Sequence, residues 1–336
     1  MAPQQSGQQF EKPLIIAHRG ASGDRPEHTL ASYELAIDQG TDFIEPDLVS
    51  TRDGVLVARH ENEISETTDI ADRPEFASHL TTRVIDGQEM TGWFTEDLTL
   101  AELRSLRARE RLPQLRPDNT AYDGMYQVPT LAEIIALVRT KEEETGRRIG
   151  IYPEIKHPAY FASIGHDLAE MLVSELHAAG YSSASDPIFI QCFEVTPLVR
   201  MSAMTELPLI QLVASAGGPA DIEGRLYADM LDADGLALIA TYANGLGPDI
   251  ALVLGADGTG TPMLAAAHEA GLAVHPWTLR RENAFMPDAL KSNDDPRGLG
   301  GFPVLMGLLV EAGVDGIFTD HAGAAVSLRA SGTYAP

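Results

Sequence analysis

A histidine and an arginine stand at the end of the first apolar run of the chain. Residues 14–17 are Leu-Ile-Ile-Ala, and His18, Arg19 and Gly20 follow directly. A short apolar run that ends at a glycine is typical of a strand buried on both faces. In α/β proteins the carboxyl ends of such strands carry the chemistry. Histidine transfers protons near neutral pH and arginine binds phosphate or carboxylate through paired hydrogen bonds, so this position is a candidate site.

Two carboxylates follow the second apolar run. Glu45 and Asp47 flank Pro46, and residues two apart on a strand point to the same face. Proline donates no hydrogen bond, so we expect regular strand pairing to stop at Pro46, as it would at the mouth of a sheet. Glu154 and Lys156 repeat the arrangement at the end of a later strand, again beside a proline.

These acidic residues can be explained in two ways. Either motif alone is typical of solvated acids on an edge strand, whereas two such motifs, each after an apolar run, favour a shared site. In one site Glu45, Asp47 and Glu154 would repel one another unless a cation lay among them. A set of oxygen ligands favours Ca²⁺ or Mg²⁺ over Zn²⁺. The sequence therefore predicts a site for a divalent cation.

Further candidates end other apolar runs. Gln191 and Phe193 are two residues apart, so both are expected to face the site. Trp277 could form a wall for a small organic group or pack in the core. His60 ends a predicted hairpin and, with His18, is a candidate for general acid–base catalysis. Of the ten histidines, the other eight lack such a paired context and are interpreted as residues of the rim, the surface or the packing.

Alternating strand and helix patterns predict an α/β fold, a (β/α)₈ TIM barrel. A doubly wound sheet is the alternative, although the glycine-rich phosphate-binding motifs of such folds are missing from the sequence. Residues 55–58 are expected to form the return strand of a hairpin. The predicted helices include residues 29–39, 98–109, 131–141 and 165–179. The predicted barrel strands are residues 14–17, 43–48, 149–155, 188–193, 207–213, 245–247, 273–277 and 316–319.

One barrel domain is expected over residues 13–330. Residues 61–148 lie between the second and third barrel strands and are too many for a connection, whose usual length is about five residues. We interpret this segment as an insertion plus one barrel helix, opened by Thr130, and expect it to cap one side of the site.

The composition disfavours several classes of function. The 336 residues are 44% hydrophobic and carry a net charge of −25, and both nucleic acids and anionic membranes attract basic surfaces. No apolar run is long enough for a membrane span. Cys192 is the single cysteine, so no intrachain disulfide is expected. Residues 1–9 lack the basic-then-apolar order of a signal peptide.

The candidate residues belong to motifs that are spread along the chain. The motifs are Ala17-His18-Arg19-Gly20, Pro26-Glu27-His28-Thr29-Leu30, Glu45-x-Asp47, His60, Gly150-Ile151-Tyr152-Pro153-Glu154-Ile155-Lys156, Gln191-Cys192-Phe193, Gly245-Leu246-Gly247-Pro248-Asp249, His275-Pro276-Trp277-Thr278 and Gly316-Ile317-Phe318-Thr319-Asp320. They resemble the motifs of the glycerophosphodiester phosphodiesterase family, in particular its bacterial periplasmic branch. The resemblance implies a TIM barrel of the phosphodiesterase type and a periplasmic or secreted location. It also implies hydrolysis of glycerophosphodiesters, such as glycerophosphocholine and glycerophosphoethanolamine, to glycerol 3-phosphate and an alcohol.

The resemblance also implies residue roles. His18 and His60 match the acid–base pair of the family, and Glu45, Asp47 and Glu154 match its ligands for a divalent cation, with Ca²⁺ favoured over Mg²⁺. The positions that match its phosphate- and substrate-binding residues are Arg19, Lys156, Gln191, Phe193 and Trp277.

Glu27 is expected to lie behind the binding residues and support them. The sequence departs from the family pattern at Glu61, where aspartate is usual, at Glu66, where arginine is usual, and at Pro46 between the two acids. Glu61 and Glu66 belong to the predicted rim, so they question the preferred leaving alcohol more than the reaction.

Two other functions are left open. A lipid-directed phosphodiesterase of the same barrel type would need an aromatic and basic surface, which the sequence does not indicate. A non-catalytic, metal-dependent binding barrel would not need both His18 and His60. A glycoside hydrolase is a weaker alternative, because its carboxylate pair would not require Arg19 or Lys156. The expected partner is a small-molecule substrate, and the sequence does not predict the oligomeric state.

Overall fold

Parallel strands form a ring that is surrounded by helices. A computed structural model describes residues 12–334, so the prediction for residues 1–9 lies outside the described range. The strands are β1 (Leu14–His18), β2 (Phe43–Glu45), β3 (Asp47–Ser50), β4 (Leu56–Ala58), β5 (Thr81–Ile85), β6 (Gln88–Gly92), β7 (Gly150–Ile151), β8 (Glu154–Ile155), β9 (Ile190–Cys192), β10 (Leu209–Val213), β11 (Gly245–Pro248), β12 (Ala273–Val274) and β13 (Gly316–Thr319).

The helices follow most of the strands and cover the outside of the ring. They are α1 (Leu30–Asp38), α2 (Leu100–Leu103), α3 (Leu131–Thr145), α4 (Pro158–Ser163), α5 (Leu168–Ala178), α6 (Val195–Met201), α7 (Ala233–Ile239), α8 (Ile250–Val253), α9 (Pro262–Glu269), α10 (Phe302–Ala312) and α11 (Ala322–Ser331).

Two sheets share the ring. Their strand orders are β13-β1-β2-β7 and β12-β11-β10-β9-β8-β3-β4. The ring closes between β12 and β13, where Asp315 N donates to Val274 O over 2.9 Å and Phe318 N donates to Pro276 O over 3.0 Å. With β2 joined to β3 and β7 joined to β8, residues 12–334 contain eight barrel strands. The predicted (β/α)₈ barrel is confirmed.

Prolines interrupt two of the barrel strands. The ladder stops at Pro46 between β2 and β3, as predicted, and the predicted strand over residues 149–155 is split before Glu154. Asp47 then pairs in parallel register with Glu154. The chain returns through β4, which is antiparallel to β3 with Leu48 opposite Ala58. The predicted hairpin is therefore present and ends two residues before His60.

The prediction of a helix over residues 98–109 is wrong beyond its first turn. Only α2 is helical there. The backbone N–H of Arg107 donates to Asp69 Oδ1 over 2.7 Å, and that of Arg109 donates to Thr67 O over 2.9 Å. These contacts with a distant segment replace the helical i→i−4 hydrogen bonds, so the tertiary structure overrides the local pattern.

Helix α3 begins as predicted and ends later. The Thr130 side chain accepts from Glu133 N, and the Glu133 side chain accepts from Thr130 N, which forms a capping box. Gly146, with φ 66°, caps the helix, whose last residue, Thr145, lies four residues beyond the predicted residue 141.

Residues 61–148 contain the antiparallel β5–β6 hairpin, several 3₁₀ turns, α2 and α3. The domain limits of 13–330 and the insertion within residues 61–148 stay predictions. Within the described range, 12–334, no helix combines the length and the apolar character that a membrane crossing requires.

Candidate active site

The alternation of strand side chains explains why the chemistry lies at one end of the ring. A small apolar cluster fills the barrel interior and includes Ile16, Phe43 and Tyr152. Each of these residues precedes a site residue by two positions, so the pair shares the inward face of the strand. The pairs are Ile16 with His18, Phe43 with Glu45, and Tyr152 with Glu154.

Glu45, Asp47 and Glu154 form a buried acidic cluster. One carboxylate oxygen of each lies within 4.8 Å of the others, and the residues are 1%, 1% and 6% exposed. Asp47 Oδ1 is buried and has no hydrogen-bond partner among the described residues. An orphaned carboxylate oxygen in an all-oxygen cluster fits a hard divalent cation, so the residues present suit the predicted metal site.

The pKa values of the three acids also favour a site for a cation. Burial and the neighbouring Asp47 raise the pKa of Glu45 well above its usual value. Burial raises the pKa of Glu154 to about 8, although Lys156 opposes the shift. Burial would also raise the pKa of Asp47, but Lys156 and the hydrogen bond from His28 outweigh it and lower this pKa. The two glutamates therefore bind protons tightly, and a cation bound between the acids would displace those protons.

Two cations border the acidic cluster. Arg19 Nε lies 3.3 Å from Asp47 Oδ2, and its backbone N–H donates to Glu45 Oε2 over 2.8 Å. Lys156 Nζ donates to Glu154 Oε1 over 2.7 Å. Arg19 has φ 59°, in the left-handed region, and this turn brings its backbone N–H and its guanidinium to the same cluster.

The two histidines are each held by a carboxylate. His18 Nδ1 lies 2.6 Å from Asp320 Oδ1, and His60 Nδ1 is hydrogen-bonded to Glu61 Oε1. These contacts occupy the Nδ1 atoms and favour the tautomer that leaves Nε2 unprotonated. His60 Nε2 is 3.3 Å from Lys156 Nζ, and both histidines line the same cavity.

The surroundings of both imidazoles favour the neutral form at pH 7. Burial and the charge of Arg19 lower the pKa of His18 to about 4. Burial, Arg19 and Lys156 lower the pKa of His60 to about 3. Each histidine can therefore accept a proton at Nε2.

A cavity of about 340 Å³ connects these groups. Phe193 and Trp277 meet edge to face in its wall, with ring centroids 5.7 Å apart. Gln191 Nε2 donates to Glu45 Oε1 over 3.1 Å, and its buried Oε1 has no partner within residues 12–334. The cavity lining is His18, Arg19, Glu45, His60, Glu154, Lys156, Gln191, Phe193, Leu212, Trp277, Thr278, Arg280 and Phe318.

Glu27 lies behind Arg19. Its Oε2 accepts a hydrogen bond from Arg19 Nη1 over 3.1 Å, and the residue is 7% exposed. Arg111, from the 61–148 segment, donates to both oxygens of Glu27 and also to Glu61. Glu61, noted above as a departure from the family pattern, is thus the hydrogen-bond partner of His60.

His28, one of the histidines interpreted as surface or packing residues, is buried and also contacts the acidic cluster. Its Nε2 lies 2.9 Å from Asp47 Oδ2 and its Nδ1 lies 2.8 Å from the Tyr33 hydroxyl, so this fully buried ring holds an acid of the cluster. The sequence analysis also did not identify Asp320 as a site residue. His28 and Asp320 both belong to motifs that resemble those of the family, over residues 26–30 and 316–320. No local pattern reveals a contact between residues that are 302 positions apart, as His18 and Asp320 are.

The fold is a TIM barrel, and its acidic cluster, two cations and two histidines meet at the carboxyl ends of the strands. This arrangement agrees with the phosphodiesterase type of barrel that the motifs predict. The model of the glycerophosphoryl diester phosphodiesterase family matches residues 18–324. The chain belongs to this family.

Individual relatives agree with the family match. The chain is 35% identical over 331 residues to glycerophosphodiester phosphodiesterase GDPD6 of Arabidopsis thaliana, covering 94% of this chain and 85% of that protein. It is 29% identical over 337 residues to glycerophosphodiester phosphodiesterase of Haemophilus influenzae, covering 91% and 87%. An Oleispira antarctica phosphodiesterase, solved in complex with the product sn-glycerol 3-phosphate, has a TM-score of 0.62 at 20% identity over 94% of this chain and 96% of that one. This last likeness supports the fold.

Proposed function

We propose that the protein hydrolyses glycerophosphodiesters, among them glycerophosphocholine and glycerophosphoethanolamine, to glycerol 3-phosphate and an alcohol. The observation that carries the proposal is the joint position of the acidic cluster, Arg19, Lys156 and the two histidines around one cavity. Family membership supports the same reaction. A glycoside hydrolase would not need the two cations beside the carboxylates.

Glu45, Asp47 and Glu154 would hold the divalent cation. Ca²⁺ is proposed ahead of Mg²⁺, because Ca²⁺ accepts irregular sets of carboxylate oxygens whereas Mg²⁺ demands a near-octahedral set. When bound, the cation supplies positive charge that polarises a phosphoryl oxygen. His28 keeps Asp47 in place by its 2.9 Å hydrogen bond.

Arg19 and Lys156 are proposed to bind the phosphate and stabilise the negative charge that develops in the transition state. Their side chains are buried, 11% and 8% exposed, and a charge acts strongly where water is excluded. Gln191 is proposed to contact the substrate or to keep Glu45 oriented. Phe193 and Trp277 would enclose the organic part of the substrate.

His18 and His60 are proposed as the general acid–base pair. One accepts a proton from the attacking hydroxyl, which belongs to the glycerol of the substrate or to water, and the other donates one to the departing alcohol. Arg19 lowers the pKa of both rings, and Lys156 lowers that of His60. A bound anionic phosphate would offset these charges and favour protonation of one imidazole.

The resemblance of the motifs to the periplasmic branch of the family supports a periplasmic or secreted location. This location is part of the proposal. The single buried cysteine fits an exported and a cytoplasmic protein equally and does not bear on it.

Histidine substitutions test the proposed roles. His18→Ala and His60→Ala should each lower kcat about 10²-fold or more, because each removes one proton transfer. The double variant should cost less than the product of the two losses, since residues that act together are non-additive. Release of glycerol 3-phosphate from glycerophosphocholine is the measurement.

His177→Ala is the matched control, because His177 is exposed and its Nε2 contacts only the hydroxyl of Thr205 within the described part of the chain. It should keep the wild-type rate. A His60→Ala variant whose kcat stays within about twofold of wild type would instead make His60 a structural residue of the hairpin, since a lost acid or base costs far more.

A further inference from the structure

Two arginines on one short stretch of the 61–148 segment reach toward opposite sides of the cavity. The side chain of Arg111 is 20% exposed and that of Arg116 is 7% exposed. Arg111 contacts the carboxylate that holds His60, and Arg116 contacts the carboxylate that holds His18. As far as residues 12–334 show, neither arginine lines the cavity, so any effect on the reaction must pass through other residues.

Arg111 makes three hydrogen bonds to two carboxylates. Its Nε and Nη2 donate to the two oxygens of Glu27 over 2.9 and 2.7 Å, and Nη2 also donates to Glu61 Oε2 over 2.6 Å. The other oxygen of Glu61 accepts from His60 Nδ1. Because both Glu61 oxygens are engaged, the carboxylate has one orientation in which it can hold the imidazole.

Arg116 makes the corresponding contact on the other side. Its Nη2 donates to Asp320 Oδ2 over 2.6 Å, and its Nε donates to Glu282 Oε1 over 2.6 Å. Asp320 Oδ1 lies 2.6 Å from His18 Nδ1. Arg280 Nε shares Asp320 Oδ2 over 2.8 Å, so this carboxylate is fixed between a histidine and two guanidinium groups.

The stretch that carries the arginines is itself anchored. Glu110 N donates to Asp123 Oδ1 over 2.7 Å, and Asn119 Nδ2 donates to Glu110 Oε2 over 2.9 Å. Leu112 N donates to Glu110 Oε1 over 2.8 Å, and Leu112 O accepts from Arg116 N over 2.8 Å. Hydrogen bonds at both ends fix the spacing of the two guanidinium groups.

We propose that Arg111 and Arg116 are positioning residues for the reaction. Each fixes the carboxylate that orients one histidine, so residues 111–116 set the separation of the two Nε2 atoms that transfer protons. The inference rests on the proposed function and adds to it a role for the 61–148 segment. Misplacement of a proton-transferring group lowers the rate even when substrate binding survives.

The test uses Arg111→Gln, Arg111→Lys, Arg116→Gln and Arg116→Lys in the full-length protein, with glycerophosphocholine and Ca²⁺. Each Gln variant should lower kcat about tenfold or more while KM changes less than about threefold, since supporting residues of this kind govern orientation. The Lys variants should recover part of the loss. Arg109→Gln is the matched control, because Arg109 pairs with exposed Asp72 over 2.5 Å and should keep the wild-type kcat.

Double-mutant cycles separate positioning from a general loss of stability. Arg116→Gln should have little further effect in a His18→Ala background and a clearly larger effect in a His60→Ala background. Arg111→Gln should show the reverse, with a residual effect through Glu27 and Arg19. If the Gln variants fail to fold in a thermal-unfolding control, the Lys variants carry the same cycles.

Two outcomes would overturn the inference. One is an equal fold-loss of kcat in both histidine backgrounds, and the other is a change in KM alone. Absence of turnover in wild type and in Arg109→Gln would instead reject the proposed function itself, so the two failures are distinguishable.

Discussion

Glu154 lies between the acidic cluster and Lys156, one of the two cations proposed to bind the phosphate. It is 6% exposed, shares the cluster with Asp47 and accepts a hydrogen bond from Lys156 over 2.7 Å. Burial raises its pKa to about 8. A carboxylate that is so costly to keep ionised suits a metal ligand better than it suits a structural ion pair.

Glu154→Gln should weaken divalent-cation binding far more than it lowers the free energy of unfolding. The amide keeps the shape of the side chain but removes the charge that binds the cation. Calorimetric titration with Ca²⁺ and thermal unfolding of the metal-free protein measure the two effects. Glu170→Gln, at an exposed position in α5, is the control and should change neither. A Glu154→Gln variant that is unfolded would place Glu154 in a structural network.

Cation binding should weaken as the pH falls below about 8. Below its raised pKa Glu154 is protonated in the metal-free site, and the cation must displace that proton. Each displaced proton lowers the apparent affinity about tenfold per pH unit below the pKa. Titrations between pH 6 and pH 9 in buffers of different ionisation enthalpy would measure the protons released. An affinity that does not change over this range would mean that Glu154 is not a ligand.

Secondary-structure elements could be predicted where neighbouring residues mark their ends, and could not be predicted where contacts with distant segments decide their extent. The strand end at His18 and the break after Glu45 were predictable, because Gly20 follows the first apolar run and Pro46 interrupts the second. The extent of α2 was not, because Asp69 and Thr67 take the backbone N–H groups of residues 107 and 109. Contacts of that kind depend on the assembled barrel, which no window of sequence contains.

The same distinction holds within the site. The acids, the cations and the two histidines stand at strand ends and could be named from spacing. The residues that hold them in place were missed because their partners lie far along the chain: His28 with Asp47, and Asp320 with His18. A residue that supports another through one hydrogen bond leaves no periodic pattern in the sequence.

The contribution of the α3 capping box to stability can be tested independently of catalysis. Thr130→Ala removes the capping box with Glu133 and should destabilise the protein by about 1 kcal/mol with kcat unchanged. Thr140→Ala, at an exposed position inside the same helix, is the control and should leave stability unchanged or slightly higher. Denaturant unfolding measures both. A loss of activity at unchanged stability in Thr130→Ala would mean that this cap serves the site.

The net charge of the whole molecule and the volume of the cavity favour a small, soluble substrate. The net charge of −25 disfavours approach to an anionic bilayer, whereas Arg19 and Lys156 make the cavity locally attractive to a phosphate. A cavity of about 340 Å³ accommodates a small phosphodiester. A soluble glycerophosphodiester therefore fits this protein better than a phospholipid held in a membrane.

A divalent cation in the acidic cluster is proposed to enable hydrolysis of a glycerophosphodiester. Release of glycerol 3-phosphate from glycerophosphocholine by the wild-type protein, before chelation, in excess EDTA and after cation is returned, tests this requirement. The expected result is turnover that stops in EDTA and returns with Ca²⁺ or Mg²⁺, because the three acids need a hard cation. Undiminished turnover in excess EDTA, with no tightly retained metal detected by elemental analysis, would mean that the reaction does not depend on a cation in the acidic cluster.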